Sequence, residues 1–211
     1  MKKLSFSLLG LVVLILIFFG LVLNINYKNN RSFNTKEFID RAEHYNFQII
    51  RDTFGESVLF GGPNSGCTVA EGYRRLGAFV PEKEFTVSAW FSVDVSQRWG
   101  GIVGVFQDNG DVESGWVLGY NHDTFTFGLA SQGTNDGNGE MTYLSAKTRY
   151  QKGRLYHVVG VYDGTKMQLY VNGKLEGLSR EQSGSILYPS NAPWTIAAYH
   201  DDNEYYPHQG R

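Results

Sequence analysis

From about Phe47 onward the apolar residues fall into short runs with a period of two. The clearest run is Phe85–Asp94. Phe85, Val87, Ala89, Phe91 and Val93 share one face, while Thr86, Ser88, Trp90 and Ser92 share the other. Trp90 interrupts the polar face, so that face is expected to be partly covered and Trp90 to belong to the core. Comparable runs are Gly101–Phe106, Gly115–Tyr120, Thr124–Ala130, Met141–Ser145, Leu155–Tyr162, Met167–Val171 and Trp194–Tyr199. Phe47–Arg51 and Ser57–Gly61 read as two shorter strands around a Gly-containing turn. Asp163-Gly164 and Asn172-Gly173 stand between runs, and these dipeptides tolerate the positive φ of tight hairpins. Many short strands with turn signals between them predict an all-β, antiparallel sandwich or barrel.

The pattern before Phe47 is different. Met1-Lys2-Lys3 precedes an uncharged apolar run from about Leu4 to Leu23. A run of this length suits a membrane-spanning helix. No small-residue cleavage site follows it, which favours a retained signal anchor over a cleaved signal peptide. The basic start suggests a cytoplasmic N-terminus. Asn34 and Glu37 have capping-box spacing before a short helix expected over Thr35–Tyr45, with Phe38, Ile39 and Ala42 on its apolar side. The expected organisation is therefore an anchor or signal peptide over 1–24, a tether with a short helix over 25–46, and a β-sandwich over 47–211. The sandwich would sit outside the cytoplasmic membrane, or be secreted if the N-terminus is cleaved.

Composition sharpens this reading. The chain has 25 glycines against 5 prolines and 15% aromatics, which suits strands joined by tight turns. The formal net charge is −2 and no segment concentrates Lys and Arg, which argues against a nucleic-acid partner. Cys67 is the single cysteine, so an intramolecular disulfide is excluded and a buried small apolar role is expected.

Four stretches carry a family resemblance. Phe85-Thr-Val-Ser-Ala-Trp-Phe91 resembles the central strand of LamG-like jelly rolls. Trp116-Val-Leu-Gly-Tyr120 and Phe125-Thr-Phe-Gly-Leu129 resemble that family's hairpin. Tyr156-His-Val-Val-Gly-Val-Tyr-Asp-Gly-Thr-Lys-Met-Gln-Leu-Tyr-Val-Asn-Gly-Lys174 resembles its most specific stretch, with Tyr156 where a Trp is commoner. Trp194–Tyr199 is similar to a strand near the domain's end. The resemblance implies a two-sheet, concanavalin A-like jelly roll from about residue 50 to 211. It also implies a closing strand of the type Gly-Arg-Ile-Asp-Glu-Val, and this sequence stops where that strand should begin. The expectation is that the chain is truncated, or that another segment such as Phe47–Ile50 partly fills the gap. The absent stretch would include an Asp that often helps bind calcium in the family.

The fold alone does not set the function. Jelly rolls that hydrolyse glycosides carry paired carboxylates alternating along a strand, and no such array is present. No Gly-x-Ser-x-Gly elbow accompanies the histidines, and no His/Cys spacing suggests zinc. Calcium is the plausible ion, since hard cations take several oxygen ligands. Asp201, Asp202, Asn203 and Glu204 form the densest candidate loop, ahead of Asp108–Asp111 and Asp136–Glu140. Ordinary polar turn chemistry is the alternative. Sugar binding needs an aromatic platform beside amides and carboxylates. Trp99, Trp116, Tyr120, Asn121, His122 and Asp123 form one such set, with core or groove lining as the alternative for the two tryptophans. Tyr199, His200, Asp201, Tyr205 and Tyr206 form another. The expected function is a non-catalytic module binding carbohydrate or another surface polymer, held at the membrane by the N-terminal helix. The alternatives are an accessory domain of a larger exported hydrolase and a protein-binding adhesion module.

Overall fold

The computed structural model describes residues 24–25, 47–53, 55–62, 65–70, 80–109, 112–134 and 140–211. The expected anchor, the expected helix over Thr35–Tyr45 and most of the Asp136–Glu140 loop lie outside the described residues. Among the described residues no helix is long and apolar enough to cross a membrane.

The strands run in chain order as β1 (Asn24–Ile25), β2 (Phe47–Asp52), β3 (Gly55–Phe60), β4 (Cys67–Ala70), β5 (Phe85–Phe91), β6 (Gly100–Asn109), β7 (Val112–Asn121) and β8 (Thr124–Ala130). They continue as β9 (Met141–Arg149), β10 (Tyr156–Tyr162), β11 (Met167–Val171), β12 (Lys174–Ser179), β13 (Trp194–Ile196), β14 (Ala198–His200) and β15 (Tyr205–Pro207). Two antiparallel sheets dominate. One has the order β1-β5-β10-β11-β12, the other β4-β13-β6-β7-β8-β9, and the hairpins β2-β3 and β14-β15 stand apart. All recorded pairings are antiparallel, as the tight turn signals require.

The core lies between the two large sheets. Period-two alternation places Phe85, Val87, Ala89 and Phe91 of β5 inward, with Tyr156, Val158 and Tyr162 of β10 beside them. Trp116, Leu118, Phe125, Phe127 and Leu129 face them from the other sheet. Gly160 is required by this packing. A Cβ there would lie 2.7 Å from the Phe127 ring, so the missing side chain lets the facing sheet approach β10.

Trp90 departs from expectation. It is 43% exposed, on the outer face of the five-stranded sheet. The pairing His157↔Trp90 stacks the two rings at 5.0 Å and 18°, and Ser88 Oγ lies 2.7 Å from His157 Nε2. A cross-strand neighbour, rather than a covering layer, accommodates the large ring on this face.

The edge of β5 also differs from expectation. Phe47–Ile50 does not fill it, because β2 pairs with β3. Asn24 and Ile25, expected at the junction of anchor and tether, pair instead with Ser88 and Val87. Further along, Ser92 N–H donates to Arg211 O at 2.7 Å and Asp94 N–H to Gln209 O at 2.8 Å. Gly210 exchanges backbone hydrogen bonds with Phe60, which ties β3 to the same place.

His208 anchors this terminal segment. Its ring lies in the core beside Phe60, Phe91 and Tyr120, with Nδ1 3.2 Å from the Tyr120 hydroxyl. Burial disfavours the imidazolium and lowers the His208 pKa to about 4, against backbone hydrogen bonds at Ser92 and Arg211 that favour it. The unfolded state then binds more protons than the folded state between the ordinary value of 6.5 and about 4. Stability from this group is complete above that window and is lost as pH falls through it, by on the order of 3 kcal/mol. In urea unfolding compared at neutral and mildly acidic pH, His208→Gln should lower stability at neutral pH but flatten the acid loss. An acid loss unchanged from wild type would assign the transition to other groups.

Candidate binding face on the six-stranded sheet

The six-stranded sheet is apolar on both faces. Its inner face meets the core. On its outer face Phe106 of β6, Val117 of β7, Ala130 of β8 and Met141 of β9 form a second, smaller cluster. Alternation along β6 and β7 puts Phe106 and Val117 opposite in orientation to Val105 and Trp116, as pleating demands.

Three aromatic rings roof this second cluster. Trp99 lies just before β6, Tyr143 is on β9 and Tyr199 is on β14. Trp99 stacks with Tyr199 at 5.8 Å and 28°, and its ring lies 6.0 Å from Tyr143. Phe106 meets Tyr199 edge-on at 4.4 Å. Tyr206, 37% exposed, extends the row at 6.2 Å from Tyr199. Gly128 makes room for Tyr143. The two residues pair across β8 and β9, and a Cβ on Gly128 would lie 2.6 Å from the tyrosine ring.

Polar groups complete the face. Asp108 Oδ2 accepts hydrogen bonds from the Tyr143 hydroxyl at 2.7 Å and from the Tyr199 hydroxyl. Burial raises the pKa of both phenols, and the Asp108 charge adds to the effect, so both stay protonated donors. Asp108 pairs directly with Glu113 across the β6–β7 hairpin. Glu113 also accepts the Met141 backbone N–H. Burial raises the Glu113 pKa, with the Asp108 and Glu140 charges acting in the same direction and the Met141 bond opposing them. At the rim, Asp202 Oδ1 accepts from Gln107 Nε2 at 2.7 Å and from the Asn109 amide. The Arg98 guanidinium lies 5.5 Å over the Trp99 ring. The face therefore offers the partly exposed Trp99 and Tyr143 and the exposed Tyr206 around the buried Tyr199, beside carboxylates, amides and hydroxyls.

The sequence-expected residues divide. Trp99 joins the face, and Tyr199 and Tyr206 of the second expected set join it. Trp116 and Tyr120 do not, because they point inward. Trp116 is fully buried, 4.8 Å from Phe85 and 5.2 Å from Trp194, with Nε1 donating to Tyr188 Oη at 3.2 Å. Tyr120 is buried against Tyr150 and His208. Asn121, His122 and Asp123 form the β7–β8 turn. His122 takes φ +53° and donates its N–H to Gln97 O, while the Asp123 carboxylate pairs with Arg149. Tyr205 is exposed, and its hydroxyl donates to Ser65 O at 3.1 Å. His200 packs edge-on to the Tyr205 ring at 5.0 Å.

The expected calcium loop is the β14–β15 turn. Asp201 Oδ1 accepts the backbone N–H groups of Asn203 and Glu204 at 3.1 and 2.8 Å. Asp202 is engaged with the two amides, and Glu204 Oε1 accepts from the Tyr206 hydroxyl at 3.3 Å. Among the described residues no group of three or more His, Cys, Asp or Glu side chains gathers to hold a metal ion. These four residues thus act first as a turn, as the abundance of Asp and Asn in turns allows.

Tyr143, Asp108 and Glu113 escaped notice as parts of this face. Phe106/Asp108 and Met141/Tyr143 each alternate by two, and that spacing was the available signal. It reads equally well as an ordinary exposed strand face.

A two-sheet antiparallel sandwich with such a face is a jelly-roll module of the ligand-binding class. The chain belongs to the concanavalin A-like lectin/glucanases superfamily, whose laminin G-type model matches residues 60–208. Pappalysin-1 of Mus musculus is 28% identical over 123 residues, covering 52% of this chain and 7% of that protein. Pappalysin-1 of Homo sapiens is 30% identical over 121 residues, again 52% of this chain and 7% of that protein. This chain thus spans a small part of the curated relatives it matches. Among solved structures, the binding domain of Paraclostridial Mosquitocidal Protein 1 aligns with a TM-score of 0.50 and 16% identity, over 74% of this chain and 39% of that one. Domain 4 of the Geobacillus stearothermophilus arabinanase AbnA, solved with arabinotriose, aligns with a TM-score of 0.49 and 14% identity, over 90% of this chain and 78% of that one.

The inward position of Trp116 has a direct consequence. Trp116→Ala should cost about 4 kcal/mol of stability, because it opens a cavity between Phe85 and Trp194. Thermal and urea unfolding measure this. A nearly unchanged melting temperature would place the Trp116 ring outside the core.

Proposed function

We propose that the outer face of the six-stranded sheet binds carbohydrate without catalysis, as a module exported by way of the apolar N-terminal run. The observation that carries this is the partly exposed Trp99 and the exposed Tyr206, joined by the buried Tyr199, beside Asp108, Gln107, Asn109 and Asp202. The apolar side of a pyranose stacks on an indole ring while carboxylates and amides take its hydroxyls. Membership of the superfamily is consistent with a carbohydrate- or protein-binding role, and the site itself favours a sugar.

The non-catalytic reading rests on the carboxylates. Asp108 faces Glu113 directly across the β6–β7 hairpin, and Asp108 is taken up by two tyrosine hydroxyls and Glu113 by a backbone N–H, whereas glycoside hydrolysis needs two carboxyl groups set across the scissile bond. A longer parent protein could carry an enzyme elsewhere, and this module would then hold that enzyme on a polymeric substrate.

Calcium is proposed as a second ligand on one observation. Asp201 is 1% exposed and its Oδ2 has no hydrogen-bond partner among the described residues. The four turn residues supply one uncommitted buried oxygen, well short of the 6–8 or so that calcium takes, so a site there must recruit backbone carbonyls or water. Asp201→Asn keeps the Oδ1 acceptor that caps the turn and removes the charge. Calcium should raise the melting temperature of the wild type and leave that of Asp201→Asn unchanged. An equal response in both proteins, or none in either, removes Asp201 as a ligand.

For the glycan site, Trp99→Ala should weaken binding in a glycan-array or calorimetric assay by at least about tenfold. Its stability cost should stay near 1 kcal/mol, since the ring is only partly buried. Undiminished glycan binding by Trp99→Ala would remove the face from consideration.

A further inference from the structure

We infer that the ligand of this face is a positively charged glycan, a polymer containing hexosamine with free amino groups, whose ammonium is received by the Asp108–Glu113 pair. The inference rests on the glycan reading of the face and adds the charge of the sugar.

The charge distribution around the rings is one-sided. Asp108, Glu113, Asp202 and Glu204 all contact the aromatic row or its immediate partners. Glu140 acts on Glu113 through its charge, and Asp201 acts on Tyr199 and Tyr206 in the same way. Among the described residues the cation against this patch is Arg98, which is exposed, lies over the Trp99 ring and acts through its charge on Tyr206. A uronate or a sulfated sugar would meet repulsion here. A neutral sugar could donate hydroxyls to these acids but would leave their charge uncompensated. An ammonium would be attracted.

The acid pair itself supplies the second observation. Like charges placed directly opposite on neighbouring strands are destabilising. Asp108 and Glu113 stand in that arrangement at the end of the β6–β7 hairpin, and both are half-buried. Both phenols donate to Asp108 Oδ2, and Glu113 takes one backbone N–H. These neutral donors hold the carboxylates in place without cancelling their charge. Burial raises the Glu113 pKa, the Met141 N–H lowers it and the Asp108 and Glu140 charges raise it, and a bound cation would act against the raising charges.

Geometry links the pair to the platform. The Tyr199 ring stacks with Trp99 while its hydroxyl touches Asp108. A sugar lying on Trp99 therefore presents its neighbouring units to the carboxylates. An ammonium offers three donors, enough to reach both carboxyl groups and leave one for solvent. Charge-assisted hydrogen bonds of this kind are roughly twice as strong as neutral ones.

The test is calorimetric titration with glucosamine oligomers and N-acetylglucosamine oligomers of equal length, at mildly acidic pH where the free amine is charged. The free-amine oligomer should bind about tenfold more tightly, and the preference should shrink at high salt. Glu113→Gln, which keeps the acceptor for the Met141 N–H, should bring the two affinities close together. Equal binding of both oligomers by the wild-type protein overturns the amino-sugar inference and leaves the glycan site standing. Binding of neither overturns both. Free-amine binding that survives Trp99→Ala undiminished is attraction to an acidic surface in general, and it also overturns the inference.

Discussion

The six-stranded sheet buries apolar side chains on both faces, and much of the molecule follows from that constraint. Its inner face has the five-stranded sheet to pack against. Its outer face meets only the short two-stranded β14–β15 sheet among the described residues, yet Phe106, Val117 and Ala130 are fully buried there. Rings from three separate segments cover them, and rings of Tyr and Trp carry polar atoms that need partners when buried. Asp108 answers that need for two hydroxyls at once. The roof over a small apolar cluster thereby brings partly exposed rings and a carboxylate together on one surface.

The five-stranded sheet solves the same problem differently. Its outer face carries Trp90, Ser88 and His157, and it relies on one cross-strand ring stack with a side-chain hydrogen bond beneath it. Desolvation lowers the His157 pKa, which keeps the imidazole neutral and suited to stacking. No carboxylate is recorded in that arrangement. The asymmetry between the faces is chemical, since only one combines rings with acids and amides.

Much of the fold was legible because strand alternation is local. The inward residues of β5, the β7–β8 hairpin and the β10–β11 turn could each be read from a few consecutive residues. Trp194–Tyr199 was read as one strand and is two, because Ala197 takes φ +58° and breaks the run. An alanine gives no local sign of that conformation, which is uncommon for a residue with a Cβ. β4, β12 and β15 were missed because they lack a continuous apolar face. The site was less legible still. Trp116 and Trp99 look alike in sequence, and only the phase of each residue in its own strand or loop decides between core and surface. Tyr143, Asp108 and Tyr199 come from distant parts of the chain and meet because β14 of the separate hairpin lies against the sheet face that β6 and β9 share. No spacing encodes such a meeting.

The Asp108–Glu113 contact shows how stability and function pull apart at this face. A hairpin selected for stability alone would place unlike charges, or Thr and Tyr, at directly opposed positions. Here two acids face each other at half-burial, where repulsion is screened less than at a free surface. Tyr143, Tyr199 and the Met141 amide hold the pair at its lower edge, so the local cost is borne by a network whose other duty is to roof the apolar cluster. Replacing Asp108 would therefore loosen the roof as well as the charge, whereas Glu113, on the neighbouring strand β7, accepts the Met141 backbone N–H and not the hydroxyl of either tyrosine. Structure and binding are coupled through Asp108 and separable at Glu113, which makes Glu113 the position where the acidity of the face can be varied with least disturbance to its shape.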